Sequence, residues 1–500
     1  MAELNELLRT GAMRLQEVFR ELLRENARTI EPLHYLTKNL PFPTIPQETS
    51  SRLRTVNIHV AASAAQTDVG EVPTVVTYAE IRGDYLRDSL RNLAAASVST
   101  ARKTSPDTIY KQGTNGIGTY ATGLEGICVA EYGNICPIFP REDWGRVCIQ
   151  TCRSSLNEFA RTLLELNTHI KNHMITDCYL AFEIIETVSN LARRLESQVG
   201  ELKQPVLEAL FPIRETAKAS LPKLLEDTKN KTGSLLSLPP DASAVPVTTE
   251  TMIKLQSLSA YLSPLASIMT SIGDGGWSTS SPAGSTTSLP SSKSFDVGAD
   301  GRKLFANYAT DMLETLVHTL DTKSRAMMKS RSAAGVFMGN NIAIIDRMIR
   351  SSELAPLLGE LEAKIDGLRK KSNALYLEAW KEPSAFLLDV QYTNRGSNRV
   401  SGGGVDSVAI VKSLSSKDKD AIKEKFKNFN LSFDELIQKH KSYRMEKEVK
   451  MHLGREVQRT IEPLYNRFWE RYHEIDKGKG KYVKYDKRQM ASELASLAMM

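Results

Sequence analysis

The chain has 500 residues, too many for one hydrophobic core, so several domains or a stack of modules is expected. Charged residues at 25% and hydrophobic ones at 41% are ordinary for a globular chain. Residues 412–488, however, hold 21 Lys and Arg against 13 Asp and Glu, while the remainder is near neutral. No run reaches the roughly 18 apolar residues of a membrane span, and the charged, amphipathic start lacks the apolar stretch of a secretory signal. Any membrane contact is therefore expected to be peripheral, from the cytosolic side.

Apolar residues recur at helical spacing along most of the chain. Leu4, Leu8, Leu15, Phe19 and Leu22 predict a first helix, ended by Pro41, Pro43 and Pro46. Val56 to Val60 alternates and reads as a short strand, as does Val405 to Val411. Leu156, Phe159, Leu163, Ile170 and Met174 make a second stripe, and Leu304, Tyr308, Met312, Leu316 and Leu320 a third. Near the end, Phe426, Phe429, Phe433, Leu436 and His440 mark one helix, and Leu453, Val457, Ile461, Leu464, Phe468 and Tyr472 another. The fold class is all-α. Breaks fall at 233–250, at 394–407 and at 272–298, where Ser, Thr, Gly and Pro predominate. Only Trp277, Leu289 and Phe295 offer anything to bury in the last of these, so it is predicted to be a disordered loop. Helical segments divided by such breaks suggest modules packed end to end, taken as 1–140, 141–298, 299–405 and 406–500, with no fixed-period repeat.

Five cysteines (Cys128, Cys136, Cys148, Cys152 and Cys178) are odd in number, which predicts free thiols in a reducing compartment. Cys148 and Cys152 share a helix face without a second pair at finger spacing, so no zinc site is predicted. His169 and His173 lack the glutamate of His-Glu-x-x-His and read as helix-surface residues. Gly113-Thr-Asn-Gly116-Ile-Gly118 has neither a leading strand nor a following Lys-Ser/Thr, which makes it a turn between helices rather than a phosphate loop. No acid–base pair or nucleophile motif occurs, so neither catalysis nor a cofactor is expected.

The basic end is the candidate site. Lys477-Gly-Lys479-Gly-Lys481 is a flexible basic loop, followed by Tyr482-Val-Lys484-Tyr485, and Tyr482 and Tyr485 suit either a headgroup level or inward packing. Asp486 stands three residues before Gln489 as an N-cap with its capping-box partner, ahead of a short helix through Met490, Leu494 and Leu497. Lys487 and Arg488 extend the charge. Lys441, Arg444, Lys447 and Lys450, at intervals of three, read as roughly one helix face, and Lys423, Lys425 and Lys427 precede Phe429. Such lysine-rich clusters suit a fluid anionic headgroup layer better than bidentate base reading. Nucleic-acid binding by the same end is the alternative, although no helix-turn-helix or ribonucleoprotein motif supports it.

An ordered set of segments carries a resemblance: Ile81-Arg-Gly-Asp-Tyr-Leu86, Val336-Phe-Met-Gly-Asn-Asn341, Lys425-Phe-Lys-Asn-Phe-Asn430, Tyr465-Asn-Arg-Phe468 and Lys481-Tyr-Val-Lys-Tyr485. The chain resembles the seventy-kilodalton exocyst subunit family, part of the vesicle-tethering complex of the plasma membrane, and its Ser-rich insert resembles those of filamentous-fungal members. The resemblance implies an elongated rod of consecutive helical-bundle modules and a protein that is not an enzyme. It implies other exocyst subunits as partners, Rho-family GTPases toward the third module, and phosphatidylinositol 4,5-bisphosphate at the fourth. It also implies a cytoplasmic protein, peripheral on the inner face of the plasma membrane at sites of polarised growth such as a bud, hyphal tip or septum. The family's lipid-contacting lysines fall on Lys481 and Lys484, and its second basic cluster falls approximately on Lys441, Arg444 and Lys450. The family normally carries about a hundred further N-terminal residues that pair with sister subunits, and its final Leu-Phe is here Leu497-Ala498.

Overall fold

The computed structural model describes residues 2–66, 71–102, 108–278, 300–388 and 407–499. Among the described residues every regular element is a helix, as the apolar spacing predicts. In chain order these are α1 (Ala2–Glu25), α2 (Pro32–Lys38), α3 (Gln47–Gln66), α4 (Pro73–Arg102), α5 (Ile117–Ile138), α6 (Trp144–Asn172), α7 (Met174–Gln198), α8 (Lys203–Glu208), α9 (Phe211–Gly233) and α10 (Pro246–Ser259). They continue with α11 (Leu262–Ile272), α12 (Gly301–Met327), α13 (Arg331–Arg350), α14 (Glu362–Leu377), α15 (Lys381–Phe386), α16 (Ser407–Ser413), α17 (Ser416–Ser442), α18 (Lys447–Tyr472) and α19 (Lys487–Ser496). The residues gather into two compact units, 1–225 with 257–305 and 226–256 with 306–500.

In the first unit α4 packs along α6. Gly83 makes the approach possible, since a Cβ there would lie 3.0 Å from the Thr151 carbonyl oxygen. A buried ion pair locks the centre. Arg82 Nε donates to Glu131 Oε1 at 2.9 Å, Tyr78 Oη donates to the same oxygen at 2.6 Å, and Asn134 Nδ2 donates to Glu131 Oε2 at 3.0 Å. Arg82 Nη1 also donates to the Asn26 carbonyl, and Asn134 Oδ1 accepts from the Ile45 amide at 2.9 Å. One carboxylate thus fixes α4, α5, the end of α1 and the approach to α3. Gly113 takes the predicted turn, with φ of 76°, and its amide donates to Glu183 Oε2 at 2.9 Å.

In the second unit α13 closes on α14 at Gly335, where a Cβ would meet the Ser372 carbonyl oxygen at 2.7 Å. The basic end follows the same logic. Phe426, Phe429, Phe433 and Ile437 of α17 and Leu453, Val457, Ile461, Tyr465, Phe468 and Tyr472 of α18 are buried, joined by Met490, Leu494 and Leu497. Gly454 admits the final turn, a Cβ there lying 2.6 Å from the Ala498 nitrogen.

Several expectations are corrected. The predicted strand Val56 to Val60 lies within α3. Leu53, Val56, Val60 and Ala64 are buried while Ile58 is 55% exposed, a helical period that the alternation disguised. The other predicted strand is replaced from Ser407 onward by α16, where the Ser407 hydroxyl donates to the Arg471 carbonyl at 3.2 Å, and Val405 lies outside the described residues. The start of the predicted disordered loop is packed: Ile272 ends α11 and Trp277 is only 1% exposed. Residues 279–298, with Leu289 and Phe295, and the run Ser401 to Gly404 lie outside the described residues. His169 is not a surface histidine, because its Nε2 pairs with Asp177 Oδ2 at 2.8 Å; His173 is exposed.

Candidate polyanion-binding surface

Cys148 and Cys152 share one buried face of α6. The hydrogen bond with Cys152 and then burial push the Cys148 thiol up, so it is protonated and unreactive. Among the described residues no group of three or more His, Cys, Asp or Glu is placed to hold a metal, and no helix is long and apolar enough to cross a membrane. A cleft of about 710 Å³ in the second unit has Leu313, Val317, Ile342, Ile345, Ile365 and Leu368 among its lining residues. Ion pairs cross it from Lys364 to Glu314 and from Lys371 to Asp321 at 3.1 Å. These pairs join the lysines and carboxylates that line an otherwise largely apolar wall.

The basic end rests on an aromatic platform. The Phe429 and Phe433 rings stack at 5.3 Å, Phe426 meets Phe468 at 4.9 Å, and Phe429 meets Tyr465 at 5.2 Å. Beyond α18 a 3-10 turn, His473–Asp476, ends at Lys477 with φ of 46°, a left-handed stop that helical residues cannot follow. After the lysine–glycine loop, residues 482–485 lie on the platform. Asn430 Nδ2 donates to the Tyr482 carbonyl at 2.8 Å, and Tyr465 Oη donates to the Tyr485 carbonyl at 2.6 Å. Tyr485 packs inward, its ring edge-on to Phe433 at 5.6 Å and its hydroxyl on Asp434 Oδ1. Asp486 then caps α19 with the full predicted capping box.

This arrangement sorts the nine candidate cations. Lys477, Lys479, Lys481 and Arg488 are exposed and meet no carboxylate among the described residues. Lys481 Nζ stands 5.4 Å from the Tyr482 ring centre, and Lys423 Nζ stands 5.8 Å from it. Lys484 instead pairs with Asp434, whose hydrogen bond raises the ammonium above its ordinary value. Lys487 pairs with Glu470 and sits 5.3 Å from the Trp469 ring centre, while Lys441 lies 3.8 Å from Glu493.

The expected helix face from Lys441 to Lys450 does not form. Lys441 belongs to α17, Arg444 to the link, and Lys447 and Lys450 to the start of α18. Asn340, 1% exposed, captures the link. Its Nδ2 donates to the Arg444 carbonyl at 2.9 Å and its Oδ1 accepts from the Glu446 amide at 2.8 Å, while the Arg444 amide donates to the Asp241 carbonyl at 2.8 Å. These bonds replace the intrahelical ladder and end α17. Lysine spacing alone carries no sign of that distant asparagine. It likewise misses Asp434, Glu470 and Asp476, although an Asp directly before a glycine-rich turn is a recognisable loop-closing signal.

A family model for the C-terminal part of the Exo70 component of the exocyst complex matches residues 114–496. The chain is 51% identical over 504 residues to an "Exocyst complex protein EXO70" of Gibberella zeae, an alignment covering 100% of this chain and 79% of the relative. It is also 51% identical to an "Exocyst complex protein exo70" of Neurospora crassa, over 99% of this chain and 79% of that one. The fold matches a crystal structure of the Saccharomyces cerevisiae exocyst component Exo70p with a TM-score of 0.70 at 17% identity, covering 99% of this chain and 89% of that one. A second solved structure, "S. cerevisiae Exo70 with additional residues", gives 0.69 at 19% identity, with 99% and 88% covered. These relatives are components of the exocyst complex. By the family model and the two relatives at 51% identity, the chain belongs to the Exo70 family of exocyst subunits.

Proposed function

We propose that this exocyst subunit tethers secretory vesicles to the plasma membrane before fusion, docking through its basic C-terminal end on phosphatidylinositol 4,5-bisphosphate. The observation that carries this reading is the exposed loop with Lys477, Lys479 and Lys481, none of which meets a carboxylate among the described residues. Each cation near an anionic leaflet contributes roughly 1 kcal/mol, and a ligand loses least when it need not displace an internal anion. Lys484 and Lys487 add their charge only by giving up Asp434 and Glu470. Lys441, Arg444, Lys450 and Arg488 complete the candidate set, the first three at the opposite end of α18 from this loop.

Other exocyst subunits are the partners of a protein of this family. Rho-type GTPases acting toward residues 299–405, and a place on the inner face of the plasma membrane at sites of polarised growth, extend the same proposal on the strength of the family resemblance. Flotation of the purified chain with vesicles, with and without the bisphosphorylated lipid, tests the docking step. Co-flotation that depends on the lipid supports it, and equal partition in its absence overturns it. Salt-dependent DNA binding tighter than vesicle binding favours a nucleic-acid-binding protein instead.

A further inference from the structure

The five residues from Lys477 to Lys481 form a loop with both ends fastened. At its start the Lys477 amide donates to the Glu474 carbonyl at 3.1 Å and the Lys479 amide to the Asp476 carbonyl at 3.0 Å. At its end one carboxylate oxygen, Asp476 Oδ2, accepts the Tyr482 amide at 3.0 Å and the Val483 amide at 3.3 Å. Asp476 is 6% exposed and has no cationic partner among the described residues. It is a buried carboxylate held by main-chain N–H groups alone, which is costly unless the bonds it makes have a purpose in the fold. Between the fastened ends Lys477, Gly478 and Gly480 all take left-handed backbone, with φ of 46°, 69° and 63°. Along this path three exposed lysines alternate with single glycines. Gly-containing loops of this kind have many conformers when free, so fastening the ends decides how closely the three ammonium groups converge.

We infer that Asp476 is a positioning residue for the anion site: by holding the amides of Tyr482 and Val483 it sets the geometry in which Lys477, Lys479 and Lys481 meet a headgroup with vicinal phosphates. The inference rests on the membrane-docking reading above and adds to it a specific, counter-intuitive claim. An acidic residue inside a basic patch strengthens binding of a polyanion. Charge counting alone gives the opposite sign, since deleting an acidic residue beside the patch tightens binding by about fivefold.

Two substitutions of equal charge separate these effects. Asp476→Asn keeps a side-chain oxygen able to accept both amides, whereas Asp476→Ala keeps none. The positioning role predicts that D476N floats with bisphosphate-containing vesicles at least as well as wild type. D476A is expected to bind at least about fivefold more weakly than D476N, a change of roughly 1 kcal/mol. The loss is concentrated in preference: D476A binds phosphatidylserine vesicles of matched total charge as D476N does, and loses its extra affinity for the bisphosphorylated lipid. A loop that merely loosened the fold lowers both together.

Gly478→Ala and Gly480→Ala provide a second route should D476A fail to fold. A Cβ at either position has open space around it, so these variants disturb the left-handed backbone and neither charge nor packing. Both are expected to reduce bisphosphate preference, while the left-handed strain lowers the melting temperature only slightly. If D476A and D476N bind alike and both glycine variants match wild type, Asp476 does not position the loop and the inference fails, even though wild type still docks. If wild type itself ignores the lipid, the docking reading fails first.

Discussion

The Lys484 ammonium is paired with the Asp434 carboxylate, on the same side chain whose other oxygen holds the Tyr485 hydroxyl. Lys484 and Lys481 therefore differ in availability although they stand three residues apart in one basic segment. Lys481→Ala removes a free cation and is expected to weaken vesicle binding about fivefold, by roughly 1 kcal/mol. Lys484→Ala removes a cation but also releases Asp434 to repel the membrane, so its loss is expected to be at least as large. Asp434→Asn frees Lys484 and is expected to tighten binding by up to about fivefold. Vesicle titrations of the three variants at low salt check the order, and a D434N variant that binds more weakly than wild type contradicts it. Raising the salt weakens all of them, because exposed charges are screened over about 10 Å at 0.1 M.

Asp486 provides the contrast of a cap beside the same surface. Its carboxylate accepts the Gln489 amide at 2.7 Å, and Gln489 Oε1 accepts the Asp486 amide at 2.9 Å. Asp486→Ala is expected to cost about 1 kcal/mol of local stability. Amide exchange in α19 should quicken while vesicle binding is kept or improved, since the surface becomes more positive. Unchanged exchange in α19 argues against the cap.

His440 makes the end of the chain sensitive to acid. It is buried, its Nε2 bonds the Leu497 carbonyl at 3.0 Å, and its Nδ1 is 2.6 Å from the Tyr376 hydroxyl. A carbonyl only accepts, so Nε2 carries the proton and Nδ1 accepts from Tyr376. Burial is the main cause that holds the imidazole down to about 4 from an ordinary 6.5. Between these values the unfolded chain binds the extra proton and the folded one does not. Stability is therefore full above about pH 6.5 and falls as the pH drops toward about 4, by up to about 3 kcal/mol. Urea midpoints across that range should slope in wild type and flatten in His440→Gln. Equal slopes in the two would show that other groups dominate.

The Arg82–Glu131 pair predicts a large core effect. Glu131→Gln leaves the guanidinium buried without its counter-charge and is expected to destabilise the first unit by about 3–5 kcal/mol. The double change Arg82→Met with Glu131→Leu removes both charges and should recover part of that loss. Thermal melts of the three variants check it, and a mild E131Q effect would mean that Arg82 finds another anion.

The sequence by itself determined the helical character, the aromatic stripes of α17 and α18, the α19 capping box and the place of the basic end. Each of these is written in local spacing: an apolar stripe in the three-to-four-residue period, a cap in two residues three apart, a charge cluster in composition. The stretch from Val56 to Val60 went the other way because a few alternating residues satisfy a strand period while the longer register Leu53, Val56, Val60 and Ala64 satisfies a helix. Only the tertiary structure decided which cations are free. Asn340 lies about a hundred residues from the link it captures, and Asp434 lies fifty from Lys484. Pairing of this kind depends on which helices become neighbours when the apolar stripes are buried, and no spacing rule along the chain carries that information. The same holds for Asp476. Its position before the glycines was visible in the sequence, but its burial and its grip on the far end of the loop exist only once α17 and α18 form the platform beneath it.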